Sequence, residues 1–243
     1  EIGTIQPIKE IGRAIKDSRL KNNSNKKNTL PYFHVDACQA PLYLKLDVLS
    51  LGVDLMSLDG IKMYGPRGIG MLYVRSNVEI SSVIFGGGQE KGLRSGTENV
   101  PAIAGLACAM EIADKMRESE SERLSAIRDY AIENILKTFP NSTLNGSKAD
   151  RLPNNINICF SASSADRPRF DAEFAVVSLD VLGISASYSS SCRTLKEDSS
   201  SYVVESLGKA DCASSSLRFT LGRESTKADI DELVIALKKI VLK

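Results

Sequence analysis

Net charge is almost absent from this chain: 31 Lys and Arg stand against 30 Asp and Glu across 243 residues. That excludes the broad basic field of a direct nucleic-acid binder, and there is no acidic tail. Five cysteines occur, at 38, 108, 159, 192 and 212, without a CxxC pair. An odd, irregularly spaced set predicts neither a disulfide framework nor a structural zinc site, and it suits a reduced cytoplasm. No apolar run is long enough to span a bilayer, so no membrane partner is expected, and no secretory leader is visible. Internal repeats are also missing. So is an initiating Met: Glu1 opens in what reads as the middle of a longer chain.

Against these absences stands a composition that is 42% hydrophobic, enough to bury a real core in one large or two small domains. Ile5, Ile8, Ile11 and Ile15 recur at helical spacing behind Pro7. Residues 32–35, 54–58 and 70–74 read as buried strands with helices between or beside them, which predicts a mixed, partly parallel α/β sheet. The polar stretch 21–28 and the glycine-rich stretch 84–96 read as loops. From Val100 to Phe139 the pattern is helical, with a charged stretch at 114–123 that breaks or exposes the helix. Further strands are expected at 152–160, 184–188 and 216–221, and helices at 172–182 and from Ser225 or Thr226 onward, where Asp229 is placed to return a capping bond. A boundary near residue 118 separates two α/β units.

Four features have chemical potential. Asp36 ends a buried strand, where a carboxylate could hold a pyridinium nitrogen protonated; alone, it reads better as a helix cap. Lys62 follows a buried strand and precedes a glycine-punctuated turn, so desolvation could free its amine for imine formation; alone, it is a turn lysine. Residues 86–88 and 94–97 combine glycine amides with Arg, Ser and Thr donors suited to an anion, or to a plain surface loop. Cys192 lies in a serine-rich loop beside Arg193, which favours thiolate. The other cysteines sit in apolar or helical contexts and read as inert core.

Together and in order, HVDACQA (34–40), SLDGIKMYGPRGIGMLYV (57–74), GGGQEKGLRSGTEN (86–99), RLPNNINI (151–158) and SSLRFTLGR (215–223) resemble the blocks of cysteine desulfurases. These are fold-type-I enzymes that use pyridoxal 5'-phosphate (PLP). The opening EIGTIQPI extends the resemblance over the whole chain. It implies a partial PLP-binding large domain with a mixed, mostly parallel sheet over residues 1–118. A smaller C-terminal α/β domain, residues 119–243, would carry the catalytic cysteine loop.

The resemblance also implies roles. Lys62 would hold PLP as a Schiff base and act as catalytic base. Asp36 would partner the pyridine nitrogen, and Gln39 the ring hydroxyl. Thr97 would reach the cofactor phosphate of a neighbouring subunit in a homodimer. Arg218 would clamp the carboxylate of L-cysteine. Cys192 would attack the substrate sulfur and keep it as a persulfide for an iron–sulfur scaffold or another sulfur-acceptor protein, feeding cluster assembly or tRNA thiolation. His34 resembles a structural histidine, and no metal is implied.

This sequence departs from the family at Asp59 and Ile61, where a phosphate-binding serine and a histidine are usual. Tyr188 and Ser189 replace small residues, and 163–170 looks like an insertion. The family's N-terminal half is not represented, so residues 1–243 alone are expected to be inactive. The alternatives are a related PLP lyase or aminotransferase, and a degenerate homologue acting as a binding partner.

Overall fold

In a computed structural model, residues 1–22, 31–160, 170–188 and 200–241 are described. The chain divides into a unit of Pro7–Glu118 and a unit of Ser119–Lys243 that includes Glu1–Gln6.

The Pro7–Glu118 unit contains α1 (Ile8–Asn22), β1 (His34–Asp36), α2 (Val48–Leu51), β2 (Leu55–Asp59), β3 (Gly70–Val74) and the start of α3 (Val100–Thr138). β1 pairs parallel to β2 with His34 opposite Leu55, and β2 pairs antiparallel to β3. Alternation along β2 buries Met56 and Leu58 in a core with Ala37, Val53, Met63, Leu106 and Ala109, and leaves Ser57 and Asp59 half-buried on the other face. That second face, at the strand ends, is where chemistry can be presented. Asp54 locks the entry to β2: its buried carboxylate meets Arg19 of α1 at 2.5 Å, Arg75 at 3.3 Å and the Phe33 N–H at 2.8 Å.

The turn carrying Lys62 is fixed by close packing on α3. A Cβ at Gly105 would lie 2.5 Å from Pro66 Cγ, and one at Gly65 only 3.1 Å from Ala109 Cβ, so both positions need glycine. The charged stretch 114–123 does not break α3, which runs unbroken for 39 residues; its charges face solvent or pair locally, as Arg117 does with Asp114 and Arg123 with Glu120.

In the second unit, β4 (Ser142–Leu144), β5 (Asn155–Phe160) and β6 (Ser216–Thr220) form an antiparallel sheet in the order β4-β5-β6. The helices are α4 (Ala172–Val181), α5 (Tyr202–Glu205) and α6 (Lys227–Val241). Thr226 and Asp229 cap α6 reciprocally, the Thr226 N–H donating to Asp229 Oδ2 at 2.7 Å. Residues 184–188 do not form the expected strand; only Ser187 bridges to Arg218. β5 is buried on both faces. One face is apolar (Ile156, Ile158, Phe160) and is joined by Leu217 and Phe219 of β6. The other is polar, with Asn155, Asn157 and Cys159 opposite Thr220, Arg218 and Ser216. Residues at the chain start cover this polar face: both Asn155 Nδ2 and Asn157 Nδ2 donate to Glu1 O.

Candidate active site

Two of the chemistry-bearing side chains lie at the strand ends of the first sheet, Asp36 closing β1 and Lys62 just past β2. Asp36, the last residue of β1, is exposed, and its Oδ1 accepts from Cys38 N at 3.0 Å. Hydrogen bonds from the Cys38 side chain and backbone, helped by His34, hold the Asp36 carboxyl below its ordinary range. The group is therefore an anion at neutral pH. The Cys38 thiol sits 3.8 Å from Ser57 O and is pushed up to about 12 by burial, then by Asp36 and Asp59, with Lys62 pulling the other way. Asp36, Asp59 and Lys62 thus act on one point. Lys62 itself is exposed in the short 3-10 turn Ile61–Met63 directly after β2. Gln39 is exposed in the turn after β1. His34 Nε2 bonds Ser57 Oγ at 2.8 Å, tying β1 to β2.

This donor set fits the ring end of PLP: an anion for a cationic ring nitrogen, and an accessible amine for an aldehyde. Asp59 does not point freely at the cluster. Its Oδ1 accepts from Ile61 N at 3.3 Å and so caps the turn that bears Lys62.

Thr97 is exposed at the end of the glycine-rich stretch. That stretch is held by Ser95 Oγ donating to Gly87 O at 3.0 Å and Gly96 N to Gln89 Oε1 at 3.3 Å. Glu90 and Lys91 adopt left-handed φ values of 50° and 59°, a conformation that costs energy in non-glycine residues.

In the second unit Arg218 is half-buried on β6, opposite Asn157. Asn157 is buried and braced by Asn145, whose Nδ2 reaches Asn157 Oδ1 at 2.9 Å and Ser216 Oγ at 2.8 Å. Cys192 and Arg193 lie outside the described residues, as do most of 21–28 and 163–170. The described chain on either side of Cys192 is anchored on this sheet. Ser187 pairs with Arg218, and Ser201 N donates to Ala213 O at 2.9 Å.

Two expectations about cysteine are overturned. Cys159 and Cys212 form a disulfide, with Cα atoms 5.3 Å apart. Their sequence separation of 53 residues offers no local spacing signal, because a strand meets a distant turn. Cys108 is exposed on α3 rather than core. Cys38 is half-buried, its backbone N–H bonded to Asp36. The alternating Asn-Ile-Asn-Ile run at 155–158 carried the signal for a polar strand face, yet nothing in it revealed which segment covers that face.

Comparison with known proteins follows the same lines. The sequence profile of the family Aminotransferase class-V matches residues 1–233. Cysteine desulfurase IscS 1 of Archaeoglobus fulgidus is 42% identical over 99% of this chain and 58% of its own length. Cysteine desulfurase IscS of Clostridium botulinum is 39% identical over 99% of this chain and 57% of its own. The solved structure of a NifS-like protein from Rickettsia africae superimposes with a TM-score of 0.82 at 29% identity, covering 100% of this chain and 59% of that one. The chain thus spans under two thirds of the length of the proteins it matches, and its fold is that of the NifS-like proteins.

Proposed function

The chain belongs to the aminotransferase class-V family, and from that premise we propose that it carries the machinery of a PLP-dependent cysteine desulfurase acting on L-cysteine. The observation that carries this reading is that Asp36 ends β1 and Lys62, exposed, directly follows β2, the strand that pairs parallel with β1. Cofactor binding falls to Asp36 at the ring nitrogen, Gln39 at the ring hydroxyl and Lys62 at the aldehyde carbon. Thr97 serves the phosphate of the second subunit of a homodimer. When bound, PLP supplies a sink for the electron pair left at the substrate α-carbon.

The chain's own residues do the rest. Arg218 grips the substrate carboxylate with its planar fork, a task for which a half-buried guanidinium is well suited. Lys62 takes the α-proton and returns protons as general acid. The Cys192 thiolate attacks the sulfur of L-cysteine, the carbon–sulfur bond breaks, and alanine leaves after proton return. Cys192 keeps the sulfur as a persulfide, which passes to an iron–sulfur scaffold or another sulfur acceptor in the cytoplasm. The cycle needs Cys192 to serve both the cofactor and an outside acceptor.

Asp59 supports a second reading, a homologue that has lost turnover and acts as a binding partner, because it puts a carboxylate three residues before Lys62 where the family resemblance leads one to expect a serine. Cys192→Ala in the longest reading frame containing residues 1–243 separates the two. Under the desulfurase reading the variant binds PLP normally and forms no persulfide. Sulfide and alanine release equal to the unsubstituted protein would remove Cys192 from the reaction. No turnover in either form would favour the second reading.

A further inference from the structure

An exposed carboxylate ordinarily turns freely and holds no fixed direction. Asp36 is exposed, yet its surroundings restrain it. β1 and β2 pair in parallel with Asp36 directly opposite Ser57, so both side chains leave the same face of the sheet. His34, two residues earlier on β1, shares that face, and His34 Nε2 is hydrogen-bonded to Ser57 Oγ at 2.8 Å. The Ser57 carbonyl holds the turn that follows Asp36. It accepts from Ala37 N at 2.9 Å and from the Cys38 thiol at 3.8 Å. Cys38 N in turn donates to Asp36 Oδ1 at 3.0 Å. Ser57 thus anchors both the histidine before Asp36 and the cysteine after it.

We propose that Cys38 and the His34–Ser57 pair are positioning residues for Asp36, keeping its carboxylate ionised and oriented for a cationic ring nitrogen. The proposal rests on the reading of Asp36 as the partner of the PLP ring nitrogen. An anion that is ionised and oriented in advance needs no reorganisation when the cation arrives. The influences on Asp36 have the required sign. The Cys38 side chain, then its backbone N–H, and more weakly His34 lower the carboxyl against burial, which raises it. Cys38 is suited to this task by its own protonation. Burial first, then Asp36, push its thiol up to about 12, so at neutral pH it is a neutral S–H that donates. A thiolate there would be a second anion next to Asp36 and would drive the carboxyl toward its protonated form. Cys38 is therefore a donor and not a second sulfur-carrying nucleophile.

The test uses the apo form of the full-length protein and two ring compounds, PLP and 1-deaza-PLP, in which a C–H replaces the ring nitrogen. The two share the aldehyde, the hydroxyl and the phosphate, so the ratio of their dissociation constants reports the ring-nitrogen contact. Fluorescence titration of the unsubstituted protein should show a preference for PLP of about tenfold or more, and Asp36→Asn should abolish it. Cys38→Ala removes the thiol, and Ser57→Ala frees His34. Each should lower the preference about threefold or more, with affinity for 1-deaza-PLP within about twofold of the unsubstituted protein. Cys38→Ser keeps a short donor and should restore about half of the lost preference or more. If Cys38→Ala fails to fold, Cys38→Val removes the donor at similar volume and takes its place. Full preference retained in either the Cys38 or the Ser57 variant would overturn the proposal. So would equal weakening of both compounds, the sign of general damage to the turn. A preference absent from the unsubstituted protein would instead defeat the reading of Asp36, and the proposal with it.

Discussion

Ser187 and Arg218 exchange both backbone hydrogen bonds, Ser187 N donating to Arg218 O at 3.0 Å and Arg218 N to Ser187 O at 2.6 Å. The arginine proposed for the substrate carboxylate is thereby tied through its backbone to the approach to Cys192. A side-chain change at Arg218 leaves this pair intact. Arg218→Lys should therefore keep the fold and lose the two-point grip. KM for L-cysteine is expected to rise about 10- to 100-fold, roughly 1.4–3 kcal/mol. Alanine release against substrate concentration measures it, and an unchanged KM contradicts the assignment.

Asp59 sets a second expectation. Its carboxylate caps the Lys62 turn through Ile61 N and adds negative charge near the site proposed for a phosphorylated cofactor. Asp59→Ser retains a turn-capping oxygen without the charge. The variant should bind PLP more tightly, by about tenfold or roughly 1.4 kcal/mol, in a fluorescence titration of the apo full-length protein. Equal affinities would mean that the charge is neutralised by its surroundings.

Much of this was legible in the sequence, and the limits have physical causes. Short apolar runs located β1, β2, β3, β5 and β6 to within three residues, but β1 and β3 are largely exposed rather than buried, because a run of apolar residues marks a strand without saying what covers it. The capping of α6 by Thr226 and Asp229 is equally local. The unbroken α3 was obscured because a run of charge looks the same whether it ends a helix or faces solvent. Residues 184–188 resemble a strand in composition, yet a single bridge to Arg218 is all the sheet edge offers there. The Cys159–Cys212 bridge depends on chain segments meeting in space, and no spacing rule encodes it.

The Asp54 clip gives a pH dependence. Burial pushes the Asp54 carboxyl up, but Arg19, the Phe33 N–H and Arg75 outweigh it and hold it below the usual carboxylate range. A carboxyl depressed in the folded state stabilises above its unfolded pKa of about 3.9. That stability is lost as pH falls through the folded pKa. Thermal unfolding should accordingly drop below about pH 5. Asp54→Asn should be destabilised by about 3 kcal/mol at pH 7, since Arg19 is left with a buried, uncompensated charge. The variant should also lose part of the acid sensitivity. A melting temperature unchanged at pH 7 would show the pair to be energetically neutral.

The disulfide has an equilibrium consequence separate from any role in turnover. It closes a sequence separation of 53 residues, which the chain-entropy relation values at about 4 kcal/mol. Cys212→Ser in the full-length protein should lower unfolding stability by an amount of that order. Denaturant titration under non-reducing conditions measures it, and addition of a reductant should abolish most of the difference between the two proteins.

The central claim is that Lys62 and Asp36 hold PLP for desulfuration of L-cysteine. It is tested most directly by the visible spectrum of the full-length protein with and without L-cysteine, alongside alanine production. The account predicts an absorption band from lysine-bound PLP that changes on adding L-cysteine and is lost in Lys62→Ala, with alanine formed by the unsubstituted protein alone. No band even after addition of PLP, or a band indifferent to L-cysteine with no alanine, would contradict it.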